Sequence, residues 1–197
     1  MPQISESEFN AVPLRAHEFL ADVPLHDAWV VELPRPRSNI SFADFLRVSN
    51  TRLFSAPPVV RGLMKLRMFV GRLFGWDSSS SATAGFTFAD RLTPADRAAS
   101  LVPAGTCDGL FDIVYRFENE QLAEVINGVV HAAAVSALVE SADSYRFYFA
   151  VYVRNAGRLT PFYMALIDPF RKLIVYPALL RSVRTAWNET AGDFAAT

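Results

Sequence analysis

The sequence predicts an α+β domain in which an antiparallel sheet packs against one long C-terminal helix. Three observations predict it. Residues 160 to 187, TPFYMALIDPFRKLIVYPALLRSVRTAW, carry Phe162, Leu166, Phe170, Leu173, Leu180, Val183 and Trp187 at steps of three, four or seven, which is one face of a helix. Tyr145, Phe147, Phe149, Val151 and Val153 recur at steps of two, opposed by Arg146, Tyr148, Tyr152 and Arg154, the period of a strand. Asn127-Gly128 separates the apolar runs 122 to 126 and 129 to 139, a strong hairpin signal because both central turn positions need positive φ.

Taken in order, residues 1 to 24 read as a polar lead-in with one helical turn near His17 to Leu20. Trp29 to Leu33 is a short β-branched and aromatic run ended by Pro34-Arg35-Pro36-Arg37, hence a strand. Ser41 caps a helix over about 42–54, with Phe42, Phe45, Leu46, Leu53 and Phe54 at helical spacing and Asp44 in its first turn. A second helix runs over about 58–74, buries Val59, Leu63, Leu66, Val70 and Leu73, and stops at Gly75. Ser78 to Ser81 begins a flexible loop. Phe86-Thr87-Phe88 reads as a strand, 94 to 101 as a short helix, and 103 to 109 as a turn-rich loop holding Cys107. Ile113, Tyr115 and Phe117 then alternate with Val114, Arg116 and Glu118; if the apolar set faces inward, Arg116 and Glu118 are outside.

The terminal segment is predicted as one long bent helix. Thr160 supplies a cap and Pro161 a first residue without a donor to lose. Pro169 and Pro177 each remove an intrahelical hydrogen bond at a cost of about 3 kcal/mol, yet the apolar stripe stays in phase across both, so kinks are expected at the prolines rather than breaks. The alternative is that Asp168 caps a fresh helix at Pro169 and 161 to 167 is a strand. Met164, Val175 and Leu179 fall off the main stripe, so the helix is apolar around most of its circumference and should be covered on more than one side. Residues 188–197 read as a disordered tail.

Size and charge bound the function. The 197 residues suffice for a single domain spanning 1–197, and 51% hydrophobic content excludes disorder over most of its length. Nineteen basic residues balance twenty acidic ones, which argues against a dedicated nucleic-acid binder. The polar, acidic start lacks the apolar run of a signal peptide, and one cysteine excludes an internal disulfide, so the cytoplasm is expected. Asp168, Arg171 and Lys172 lie mid-way along the best candidate span, 161 to 180, which argues against a membrane span.

Few residues offer chemistry. With a two-residue turn, Glu124 faces His131 directly across the ladder, where a carboxylate fixes an imidazole's charge or tautomer; a solvent-facing ion pair is the plainer reading. Tyr163 and Tyr176 have hydroxyls to offer a cavity or the core rim. Arg61, Lys65 and Arg72 form a basic helix face that reads as solvated. Cys107 has no adjacent histidine, and metal-ligand spacings, phosphate-loop glycines and a serine elbow are absent, so no metal and no cofactor are expected.

One strand, two helices, a run of antiparallel strands and a long apolar helix together resemble the helix-grip architecture of the START-like, birch-pollen-allergen-like (SRPBCC) superfamily, a curved sheet wrapped around the C-terminal helix. Pro58 to Arg67, Leu73-Phe74-Gly75-Trp76, Gly157-Arg158, Phe162-Tyr163 and Ile167-Asp168-Pro169-Phe170-Arg171 are similar to a bacterial domain-of-unknown-function family within it, over roughly residues 57 to 187. That family commonly has His where this chain has Arg171. The resemblance implies a cavity between sheet and helix for a small hydrophobic molecule, lined by Tyr115, Phe117, Phe147, Phe149, Val151, Phe162, Tyr163, Leu166, Phe170 and Leu173. Ala132, Ala133, Ala134 and Ala137 leave space on the same terms, unless neighbouring rings fill it. Two alternatives remain: a cofactor-free cyclase or dehydratase using His131, Glu124 or Tyr163 in that cavity, and an interaction module whose terminal helix forms a homodimer contact.

Overall fold

The computed structural model describes residues 2–36, 38–49, 86–109, 111–126, 130–155 and 160–195. They build a curved seven-stranded antiparallel sheet, consistent with a helix grip, in the order β1-β2-β7-β6-β5-β4-β3. The strands are β1 (Gln3–Ile4), β2 (Leu25–Pro34), β3 (Thr106–Asp108), β4 (Phe111–Arg116), β5 (Glu120–Ile126), β6 (Val130–Glu140) and β7 (Ser144–Asn155). The expected helix at 58–74, the serine loop, the Asn127-Gly128 turn and the basic face at Arg61, Lys65 and Arg72 lie outside the described residues.

The alternation of β7 sorts the sheet into two faces. Tyr145, Phe147, Phe149, Val151 and Val153 join Val31, Leu33, Ala132, Ala134 and Leu138 on the face that carries the terminal helix. Tyr148, Ala150 and Tyr152 point the other way, with Ala28, Val30, Ala133, Val135 and Ala137. That second face is buried too. It is covered by α1 (Glu6–Asn10), α2 (Ala16–Phe19) and a 3₁₀ turn at Phe88–Arg91, with Phe9, Phe19, Leu20 and Phe88 packed onto it, and α4 (Pro94–Ala99) is tied to the start of α2 by Asp96 and Arg15 at 3.4 Å. Residues 1 to 24, read as a lead-in, therefore supply much of this cover. On the helix side, α3 (Phe42–Ser49) starts as expected, with Ser41 Oγ accepting from the Asp44 amide at 2.9 Å.

Three expectations are corrected. Phe86 to Phe88 is not a strand: Thr87 and Asp90 form a reciprocal cap that winds 88 to 91 into the 3₁₀ turn. The loop at 103 to 109 contains β3, where Cys107 pairs with Asp112. In β4, a bulge separates the pairs Ile113–Ala123 and Tyr115–Leu122. The extra residue flips everything after it, so Tyr115 turns to the second face while Arg116 joins Ile113 on the helix side.

The terminal helix is continuous: α5 (Thr160–Phe170), a π-turn (Arg171–Val175) and α6 (Tyr176–Ala195), so 161 to 167 is helix and no tail begins at 188. Within the π-turn the Tyr176 amide donates to the Arg171 carbonyl, five residues back. Pro177 has no N–H for the carbonyl four residues before it and crowds that oxygen, which a wider turn accommodates. The buried positions are Met164, Tyr176, Leu180, Val183, Trp187 and Thr190. The π-turn adds one residue to the repeat, so the predicted single stripe splits: Leu180, Val183 and Trp187 are inside, while Leu166, Phe170 and Leu173 face out.

Candidate functional site

Glu124 and His131 do come together, but neither on the surface nor beneath the terminal helix. The ladder pairs Glu124 with Ala133 and His131 with Ile126, two residues from the register of a two-residue turn. A shift of two keeps both on one face and makes the contact diagonal. His131 Nε2 lies 2.8 Å from Glu124 Oε2, both side chains are buried, and the Phe88 ring covers the imidazole at 4.2 Å between centroids. Glu124 also accepts from the Phe88 amide at 2.9 Å and from the Thr87 hydroxyl. Burial pushes its carboxyl up, but the bonds from His131, Thr87 and Phe88 outweigh this and hold it below the usual range.

Glu120 has a matching role near the start of the same strand. Its carboxylate accepts from the Arg15 and Ala16 amides at 2.9 and 3.1 Å and from the Tyr115 hydroxyl at 2.5 Å. The two buried glutamates of β5 thus pin the starts of α2 and of the 3₁₀ turn onto the second face. Their oxygens are committed to that covering layer, on the side of the sheet away from the terminal helix.

The residues expected to line one cavity divide among separate surroundings. Phe147, Phe149 and Val151 face the helix; Tyr115 and Phe117 stack on each other at 4.2 Å on the second face; Leu166, Phe170 and Leu173 are exposed. The side chains of Phe162 and Tyr163 lie outside the described residues. Of the alanines, Ala132 and Ala134 face the helix and Ala133 and Ala137 the other cover. Along α6 the space is taken by rings: Trp187 contacts Phe45 and Tyr145, and Tyr176 contacts Trp29 and Phe149, at centroid distances of 5.2 to 5.7 Å.

Open volume lies further along the same face. A cleft of about 590 Å³ separates α3 from β3 and β4. Leu46, Leu101, Val102 and Ile113 give it apolar walls, and Arg116, Asp108, Glu118 and the α3 pair Asp44–Arg47 give it charge. Arg116 reaches this cleft only because of the β4 bulge. Its Nε donates to Gln121 Oε1 at 2.6 Å, and burial lowers its pKa despite the attraction of Asp108.

A second polar cluster lies where β2 meets the π-turn, and sequence reasoning missed it. Asp27 faces the helix side opposite Val151, with both carboxylate oxygens buried and without a hydrogen bond. Arg171 Nη2 stands 3.7 Å from it and also donates to the Tyr176 hydroxyl, while Nη1 donates to Asp168 at 2.9 Å. His26 Nε2 sits 2.8 and 2.9 Å from the two oxygens of Asp168. Burial pushes the Asp27 carboxyl up, against the pull of Arg171, His26 and Lys172; burial likewise raises Tyr176 well above the usual phenol value. One guanidinium shared by two carboxylates ties the π-turn to β2. The available signal was the charged group Asp168, Arg171 and Lys172 inside an otherwise apolar segment. Among the described residues, no three His, Cys, Asp or Glu side chains gather in a metal-binding arrangement.

No helix among the described residues is long and apolar enough to cross a membrane. No curated protein and no solved structure matches the chain. Residues 19–178 match a family described as "Protein of unknown function (DUF2867)", a stretch that runs from α2 through the π-turn and takes in both the cleft and the Asp27–Arg171 cluster. The chain belongs to that family.

Proposed function

We propose that the chain is a non-enzymatic binding protein of the SRPBCC helix-grip kind, holding a small hydrophobic molecule on the helix-facing side of its sheet. The observation that carries this is the cleft beside α3, a concave space of ligand size with Leu46, Leu101, Val102 and Ile113 converging on it. Rings fill the space along α6, so the ligand enters at the β3–β4 end of the grip. A single exposed thiol, Cys107, fits a protein working in the cytoplasm. Thermal shift against a panel of fatty acids, polyketides and aromatics tests the reading. A ligand should raise the melting temperature of the natural chain and fail to do so for Leu101→Asp, a change at the half-exposed rim. Equal shifts in both proteins, or none with any compound, overturn it.

A second reading, a homodimer through the terminal helix, is favoured by one observation. Leu166, Phe170 and Leu173 are 48, 49 and 76% exposed on one side of that helix. Sedimentation at rising concentration should show a dimer that Leu173→Glu dissolves; a monomer throughout rejects it.

A further inference from the structure

We infer that the cleft beside α3 selects a monoanionic amphiphile, an apolar body carrying one carboxylate, with the carboxylate seated on the guanidinium of Arg116. This rests on the binding reading above and names the chemistry of the same site.

The bulge in β4 brings Arg116 onto the face of Ile113, so one cationic group stands at the edge of an apolar floor. Gln121 Oε1 takes its Nε at 2.6 Å, which fixes the plane of the guanidinium and leaves the Nη edge uncommitted among the described residues. A planar fork held in this way matches a carboxylate. Arg116, Gln121 and Ser136 are successive cross-strand partners in β4, β5 and β6. Gln121 Nε2 and Ser136 Oγ are buried in that row without partners, two more donors behind the guanidinium. Burial lowers the pKa of Arg116 against the attraction of Asp108.

The acids of the cleft limit the ligand's charge. Asp44, which accepts from Ser41 Oγ at 3.0 Å and pairs with Arg47, shares the walls with Asp108 and Glu118. A dianion such as a phosphate monoester meets them as like charges, whereas a single carboxylate is satisfied by Arg116. The body of the ligand then runs over Ile113, Leu46, Leu101 and Val102.

Titration calorimetry of the full chain with octanoate, octanol, octylamine and octyl phosphate tests this. Octanoate should bind most tightly and weaken with added salt. Arg116→Gln should weaken octanoate about tenfold, the worth of a charge-assisted pair, and leave octanol unchanged. Arg116→Lys should restore some of the loss, and it decides together with the salt dependence if the glutamine variant does not fold. Octanol or octylamine binding as tightly as octanoate, tighter octyl phosphate, or an equal effect of Arg116→Gln on octanol, overturns the inference and leaves the binding reading intact. Failure of all four compounds overturns both.

Discussion

The Tyr176 amide donates to the carbonyl of Arg171, five residues earlier, and this one wide turn sets which side of the terminal helix meets the sheet. A π-turn holds one residue more than an α-turn, about 100° of rotation. Before it, Leu166 and Phe170 point outward; after it, Leu180, Val183 and Trp187 point inward.

Removing one residue from the turn should therefore leave both flanks facing as they do, provided Pro177 is relieved as well. Deleting the exposed Leu173 together with Pro177→Ala is expected to give a folded protein within about 1 kcal/mol of the natural chain in urea unfolding. Deleting Leu173 alone should cost about 3 kcal/mol, the penalty of proline in a regular helix. Deleting the exposed Ser182 instead rotates Trp187 and Thr190 off the core, a loss of about 3–5 kcal/mol. Equal damage from the double change and the Ser182 deletion rules out this account of the turn.

The Glu124 carboxylate gathers three donors: His131 Nε2 and the Phe88 amide, which are buried, and the part-buried Thr87 hydroxyl. Glu124→Ala strands them, each at about 1–3 kcal/mol, and should loosen the 3₁₀ turn, seen as faster amide exchange at Phe88. Because the folded carboxyl is held below its ordinary value of 4.5, its contribution is present above that pH and is lost as pH falls through the lowered value. Glu124→Gln should flatten this acid-side decline. An unchanged decline in the glutamine variant is the result that counts against it.

How much of this was legible follows from the range of each interaction. The two faces of β7 were readable because strand alternation is local, and the terminal helix because Trp187, Val183 and Leu180 repeat within a few turns. The turn of face at Arg116 was not, because a bulge is settled by pairing with Ala123 and Leu122 rather than by residues 113 to 115 themselves. Glu124 and His131 could be paired from the hairpin, but their burial depends on Phe88, which packs on them from far earlier in the chain. Asp27 carries no local signal of its role, because its partner, Arg171, lies near the opposite end of the sequence.

Asp27 is the mirror case of Glu124. Burial holds its carboxyl above the ordinary value of 3.8, so the folded chain binds this proton more tightly than the unfolded one. The stability this contributes is complete below that ordinary value and is lost as pH rises through the raised one. As pH rises and the carboxyl gives up its proton, the charge leans on Arg171 at 3.7 Å, with His26, Lys172 and Asp168 as the other charged groups around it and the Tyr176 hydroxyl beside them. Arg171→Met should accordingly cost more at pH 7, about 3 kcal/mol for a buried charge left alone, than at pH 4, where Asp27 can take up a proton. Asp27→Asn should cost little at pH 7, and adding it to Arg171→Met should recover most of the loss. Urea unfolding of the four proteins at both pH values gives the comparison directly. A cost of Arg171→Met that is the same at pH 4 and pH 7, and unrelieved by Asp27→Asn, shows that the guanidinium serves Asp168 and Tyr176 alone.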